Sequence, residues 1–331
     1  MPTREDLKYL QALPLDMKVA KTQTRIREWV EHYGLNGVYV SFSGGKDSTV
    51  LLHIARELYP DIPAVFVNTG LEYPEIQAFV RTFDNVEIIR PTMLFPEVIR
   101  TYGYPMITKE LSYIIYYARK GASWAIERIS GERLDPNGNK SRYSAEKYQE
   151  LISTDFVIGN GCCTIMKKSP AHKYERRNKR RPIIATMAEE SKLRAQKWIQ
   201  NGCNLYDARE PVSNPMSFWT NNDVLQYIKE NNLKIASVYG EIIEEPQCEY
   251  RTTGCSRTGC IFCGFGAHRD TESRFKRLKE THPKQYNFCI GGGNYDIDGL
   301  WKPDEHGLGM GYVIDTLNEL YSKNGRPFID Y

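Results

Sequence analysis

Two groups of residues in this chain have the types and spacing that do chemistry. The first is the run Ser43-Gly44-Gly45-Lys46-Asp47-Ser48, which follows the apolar stretch Val38–Phe42. Glycines at 44 and 45 let the backbone approach a ligand in conformations other residues resist. A helix starting there directs free N–H groups and the positive end of its dipole at the same point, which suits a phosphate. Lys46 adds a mobile charge, Ser43 and Ser48 add hydroxyls, and Ser41 lies just upstream. Asp47 is the odd member, because a carboxylate repels phosphate. It makes sense as a helix cap or as a ligand to Mg²⁺. The spacing is not G-x-x-x-x-G-K-[ST], so this is not a Walker loop. The bland alternative is a flexible turn at a helix start, and either way the turn is expected to be exposed.

Cysteines form the second group. Cys260 and Cys263 make a C-x-x-C unit, the spacing that grips one metal ion or one cluster. Its partners are either local, Cys248 and Cys255, or the adjacent pair Cys162-Cys163 upstream. The local set would hold a cluster or zinc. Adjacent cysteines cannot easily direct both sulfurs at one ion, so the upstream pair would serve different irons of a larger group. Cys203 and Cys289 stand alone and read as small apolar residues, with their reactivity unassigned.

The elements that must position these residues alternate between strand and helix. Residues 5–33 read as helical. Strands are expected at 38–42, 63–69, 86–90 and 181–187, and helices at 47–58 and 74–83. This alternation implies an α/β fold with a doubly wound parallel sheet. Ligands sit at the carboxyl ends of strands in such sheets, where Ser43 and Thr69 both fall. Residues 121–150 contain the turn-rich LDPNGNKS and read as an inserted set of helices and loop. Thr220 and Asp223 suggest a capping box opening a helix to Lys229. Beyond Cys248 the composition shifts to Gly, Cys and Arg, with little regular structure before a helix near 272–280. The expected division is N-terminal helices over 1–36, a nucleotide-binding α/β domain over 37–235 with an insertion at about 121–155, and a cysteine-rich extension over 236–331.

Composition narrows the classes. With 331 residues, 41% hydrophobic and 26% charged, the chain reads as globular, and its net charge of +3 does not mark a nucleic-acid binder. The 22 tyrosines suit a core as well as a stacking surface. No apolar run approaches the ~18–20 residues of a membrane span, and the start lacks a signal-peptide pattern. A cytoplasmic location is expected, where cysteines serve metal or redox roles more than disulfides. Eight Lys/Arg and one Glu between 167 and 181 would hold phosphates of a nucleotide or nucleic acid, or form a solvated helix face.

SGGKDS resembles the PP-loop of the N-type ATP pyrophosphatase, or adenine nucleotide alpha-hydrolase, superfamily. VNTGLEYPE, residues 67–75, is similar to the second nucleotide motif of its phosphoadenosine phosphosulfate reductase branch. That resemblance places Thr69 and Gly70 beside the nucleotide and Glu72 on ribose or metal. CCTIMKKSP resembles the CC-x-x-R-K-x-x-P segment of iron–sulfur adenylylsulfate reductases, with Lys167 and Pro170 in register and Met166 in place of arginine. It implies a [4Fe–4S] cluster on Cys162, Cys163, Cys260 and Cys263. ATMAEESKLR is similar to G-x-R-x-[DE]-E-S-x-x-R: Glu190, Ser191 and Arg194 are kept, and Met187 replaces an arginine. NPMSFWTNNDVLQYI resembles a further segment of the branch and reads as packing and capping.

The resemblance implies ATP cleavage between the α- and β-phosphates, with Lys46 and Asp47 as the catalytic pair. ATP and Mg²⁺ are the implied cofactors. The reductases carry a nucleophilic cysteine in an E-C-G-[IL]-H segment and tend to have a degraded loop. Here that segment is not seen and the loop is intact. The expectation is therefore adenylation of an unknown acceptor, nucleic acid being one candidate, followed by sulfur transfer. A cysteine desulfurase would be a fitting sulfur donor. The alternatives are a sulfonucleotide reductase and a non-catalytic nucleotide or redox sensor.

Overall fold

The structure is a computed structural model that describes residues 2–247 and 249–331. Contacts divide the chain into two interleaved units. The first comprises residues 1–68, 72–90 and 170–258, and the second comprises 69–71, 91–169 and 259–331. This is a division in space, whereas the three-part division above is one along the sequence.

The first unit is built on a six-stranded sheet of β1 (Val38–Ser41), β2 (Ala64–Val67), β3 (Val86–Ile89), β4 (Arg181–Ile183), β5 (Asn204–Leu205) and β6 (Val212–Ser213). Spatial order is β3-β2-β1-β4-β6-β5. All pairings are parallel except that of β5 with β6. Val38, Tyr39 and Val40 of β1 are all buried, as a central strand covered on both faces requires. Tyr39 and Val65 pack with Tyr174 in one cluster. The fold is α/β with a mostly parallel sheet, as the alternation of elements predicts.

Strands β5 and β6 are two residues each, too short to show an alternating pattern, and they were not foreseen. The strand expected over 181–187 stops at Ile183, and the chain then runs to a short 3₁₀ turn at Ala188–Glu190. The expected capping box is present. Asp223 N–H donates to Thr220 Oγ1 and Thr220 N–H donates to the Asp223 carboxylate at 2.6 Å. That carboxylate also takes the buried Lys18 ammonium at 2.6 Å, tying the N-terminal helix Leu15–Tyr33 to the helix Asn221–Glu230.

Helices dominate the second unit, among them Phe95–Tyr102, Lys109–Arg119, Ser123–Ser130 and Met310–Tyr321. Its spine is the short segment Tyr104–Ile107. Tyr104 bridges Ile158, and Met106–Ile107 pairs in parallel with Gly264–Phe265. Among the described residues, no helix is long and apolar enough to cross a membrane.

Candidate functional site

In the first unit, β1 runs into the glycine turn and the turn into the helix Lys46–Leu58. Gly44 has φ +71°, and a Cβ there would lie 2.6 Å from Val80 Cγ2 and 2.8 Å from Ile76 Cγ2. Only glycine fits that position. Hydroxyls take up the donors around the turn. Ser43 N–H donates to Ser48 Oγ (3.1 Å), Gly45 N–H to Ser43 Oγ (3.3 Å) and Lys46 N–H to the Tyr239 hydroxyl (3.1 Å). Ser43 Oγ and Ser48 Oγ lie 2.9 Å apart, and Tyr239 OH lies 2.7 Å from Thr258 Oγ1. Ser41 ends β1, half-buried and in register with Val65.

Lys46 departs from the expectation of an exposed turn, being only 2% exposed. Tyr239, far away in sequence, lies over the helix start. The Lys46 ammonium is paired with the Asp47 carboxylate at 2.6 Å. Asp47 makes no side-chain cap, since the N-cap position, Gly45, has none. The turn thus holds a buried cation, an acid beside it and a ring of hydroxyls. These are the groups that receive a phosphate chain and a divalent ion.

Glu190 receives both Arg194 and Arg257, and accepts the Met187 N–H at 3.1 Å. Arg194 is therefore held by a carboxylate at the carboxyl end of β4. Part of the basic run at 167–181 is spent on the fold. Arg177 pairs with Glu87 at 2.7 Å, and Arg180 reaches the Asn36 carbonyl at 3.2 Å.

In the second unit, Cys162, Cys163, Cys260 and Cys263 line one cavity of about 20 Å³, with Lys167, Leu71, Phe95, Pro105 and Met166. The spine assembles them. The Ile158 bridge leads into Cys162 and Cys163, and the Gly264–Phe265 pairing follows directly on Cys263. A tight turn joins the C-x-x-C pair, with Cys263 N–H donating to Cys260 O at 3.1 Å. Arg274 braces it, donating to Cys263 O at 3.0 Å while gripping Asp270 with two bonds. Ile261 N–H donates to Leu71 O at 2.8 Å. Lys167 lies in a π-helical turn, Thr164–Lys168, an irregularity common at functional sites.

The two adjacent sulfurs are 4.0 Å apart. Hydrogen bonding from Cys162, with the Lys109 and Lys167 ammoniums, lowers the Cys163 thiol to about 5. Cys162 is pushed up by the same bond and by burial, and burial pushes up Cys263. A thiolate at Cys163, with two cations nearby and three more thiols on the same cavity, suits metal binding. Among the described residues, no three His, Cys, Asp or Glu side chains already form a single-ion site.

Of the alternate set, Cys255 is buried in the first unit and Cys248 lies outside the described residues. Thr69, Gly70 and Leu71 group with the second unit, and Glu72 with the first. Thr69 Oγ1 accepts the Leu71 N–H at 3.1 Å. Tyr239 and Thr258 were missed from sequence. Their role depends on contacts across 193 and 19 residues, and neither sits in a motif.

Residues 37–101 and 115–263 match the phosphoadenosine phosphosulfate reductase domain. An uncharacterized protein of Methanocaldococcus jannaschii is 22% identical over 78% of this chain and 47% of its own length. A phosphoadenosine 5'-phosphosulfate reductase of Xylella fastidiosa is 28% identical over 28% of this chain and 40% of its own. The chain thus spans less than half the length of these two relatives. A crystal structure of phosphoadenylyl-sulfate reductase from Candida auris, in complex with phosphate, aligns with 13% identity and a TM-score of 0.39, covering 72% of this chain and 91% of that one. The family match covers well over half of the residues, and on that ground the chain belongs to the phosphoadenosine phosphosulfate reductase domain family.

Proposed function

We propose that this protein cleaves ATP between the α- and β-phosphates, adenylates an acceptor hydroxyl and supports replacement of that oxygen by sulfur. The observation that carries the reading is the intact glycine turn, with the buried Lys46 paired to the half-buried Asp47 at the start of its helix. In the first step the acceptor oxygen attacks the α-phosphorus, the bond to the bridging oxygen breaks, and pyrophosphate leaves. Lys46 and the donors of the turn would stabilise the charge that develops on that leaving group. Asp47 would hold Mg²⁺, which offsets the same charge. Ser41, Ser43 and Ser48 would contact the phosphates. Thr69, Gly70 and Glu72 would contact the nucleoside or metal, and Lys167 and Arg194 are further candidates for anionic groups. In the second step hydrosulfide brings its electron pair to the acceptor carbon, and AMP leaves with the oxygen. No external reductant is then required. A cysteine desulfurase is a suitable source of sulfur, and nucleic acid is one class of acceptor.

Cys162, Cys163, Cys260 and Cys263 would hold a [4Fe–4S] cluster. The donor set fits, because four thiols converge on one cavity and two cations favour the thiolate of Cys163. A cavity of about 20 Å³ admits roughly one water, so the thiols must turn outward to admit such a group. When bound, the cluster would position sulfur or brace the unit. Zinc is the alternative metal.

Sulfonucleotide reduction is a second reading, favoured by the reductase names of the relatives. It needs a reactive thiolate. Cys289 is fully buried, 3.5 Å from Met310 Sδ, and burial pushes its thiol up. Burial also pushes up Cys203. These facts weigh against Cys203 and Cys289 as that thiolate; Cys163, whose thiol is lowered to about 5, is assigned here to the metal instead. The test is pyrophosphate release from ATP by wild type, Lys46→Met and Asp47→Asn, the first variant keeping the buried volume. Release by wild type alone is expected. Release at the wild-type rate by both variants overturns the assignment. Sulfite release from a sulfonucleotide would favour the reductase instead. Binding of labelled ATP without turnover would favour a sensor.

A further inference from the structure

We infer that Tyr239 is a phosphate-binding residue, its hydroxyl extending the first free donor of the Lys46–Leu58 helix outward to a phosphate oxygen. This rests on the nucleotide reading above and assigns a residue that no motif of the sequence contains.

Tyr239 is 2% exposed, and its hydroxyl points into the turn. A Cβ on Gly45 would lie 3.2 Å from it and 3.5 Å from Thr258 Oγ1, so both hydroxyls stand at the glycine where a ligand would approach. The tyrosine cannot serve as a swinging gate, because its backbone is fixed. Tyr239 N–H donates to Ala236 O at 3.1 Å, and Gly254 N–H donates to Tyr239 O at 2.8 Å. The two strands of chain cross in direct contact. Gly240 has φ +67°, and a Cβ on it would meet Thr253 Oγ1 at 2.3 Å. One on Gly254 would meet Val238 O at 2.4 Å. Side chains larger than hydrogen are excluded on both sides.

The hydroxyl oxygen accepts the Lys46 N–H, which leaves the phenolic proton to be given away. Thr258 Oγ1 lies 2.7 Å away, and either hydroxyl can donate in that pair. A phosphate oxygen is a stronger acceptor than a neutral hydroxyl. The exchange needs only a rotation of two O–H bonds, with the ring left in place. Accepting from the helix start also polarises the phenol and strengthens it as a donor. Burial pushes the phenol up to about 12, so the proton is present at neutral pH. Ser43 and Ser48 form a second hydroxyl pair of the same kind, 2.9 Å apart, within the turn.

The experiment is calorimetric titration of the full chain with inorganic pyrophosphate and Mg²⁺, with ATP, and with adenosine. It uses wild type, Tyr239→Phe and Thr258→Val. Tyr239→Phe should weaken pyrophosphate and ATP by about tenfold, the scale of one hydrogen bond to a charged group. Adenosine affinity should not change, while the thermal midpoint should fall by a few degrees, because the Lys46 N–H loses its acceptor. Thr258→Val should keep pyrophosphate binding within about twofold, since threonine is the partner that phosphate replaces. Equal or tighter pyrophosphate binding by Tyr239→Phe overturns the inference, the tighter case making the hydroxyl a plug. Equal losses for adenosine and pyrophosphate also overturn it, by reducing the tyrosine to a structural role. If wild type binds neither ATP nor pyrophosphate, the nucleotide reading falls as well. That result is distinct from a wild type that binds and a variant that is unchanged.

Discussion

The nucleotide turn and the cysteine cavity are built by opposite means. Six consecutive residues, Ser43 to Ser48, make the turn, held between the strand that precedes it and the helix that follows. From farther along the chain, Tyr239 accepts the Lys46 N–H, and Ile76 and Val80 pack against Gly44. The cavity, by contrast, has no local half that could bind alone. Its four cysteines come from segments roughly a hundred residues apart, and they meet because both segments pair with Tyr104–Ile107. A contiguous motif carries its geometry with it. An assembled site exists only while the surrounding unit is folded, and metal bound there becomes part of the folding free energy.

The largest effect that could break this contrast concerns iron. Cys260→Ser is expected to remove all metal, because Cys260 belongs to both candidate ligand sets. Cys162→Ser/Cys163→Ser should do the same and should raise protease sensitivity across residues 91–169 and 259–331. Cys248→Ser/Cys255→Ser should keep full iron per chain when purified without oxygen. Full iron in the first double variant with none in the second would show that the site is local after all.

Next in size is the turn. Gly44→Ala places a Cβ 2.6 Å from Val80 Cγ2 at φ +71°. Left-handed strain and overpacking together should cost roughly 2–4 kcal/mol in urea unfolding. An unchanged midpoint would mean that the turn adapts and that its geometry is not as fixed as argued.

A smaller effect tests the far edge of the second unit. His268 stacks on Phe328, with ring centroids 4.9 Å apart, and accepts from Arg269 Nε at 3.1 Å. Burial, then the Arg269 and Lys147 charges, lower its pKa, with Asp270 opposing and Arg274 adding to the fall. Lowering below the ordinary value near 6.5 means the unfolded chain takes the proton first. Stability from this group is complete above about pH 6.5 and falls as pH drops through the folded value. His268→Phe should flatten the decline of the thermal midpoint between about pH 7 and 5. An equally steep decline in that variant would remove His268 from the account.

The turn was legible in the sequence because the phosphate chemistry proposed for it would need glycine, lysine and hydroxyls in one short run. The capping box at Thr220 and Asp223 was legible for the same reason: its partners lie three residues apart. The burial of Lys46 was not, because it arises from tertiary packing, in which the helix start also meets the hydroxyl of Tyr239. Strands β5 and β6 were invisible because two residues carry no period. The spine at 104–107 was hidden too. Ile107 adopts φ +64°, a conformation a β-branched residue avoids, and its burial, its pairing with Phe265 and the Gly266 N–H bonded to its carbonyl at 2.7 Å hold it there.

The interleaving of the two units has a consequence for synthesis. A chain leaves the ribosome in order, and the cysteine pair at 162 and 163 emerges well before the C-x-x-C turn does. At ~5–20 residues per second that delay is about 5–20 s. The second unit, which carries all four cysteines, cannot close within it, because it draws residues 259–331. For that interval two neighbouring thiols are open to oxidants and stray ions. How well the cell shields nascent thiols would therefore set the yield of correctly assembled protein.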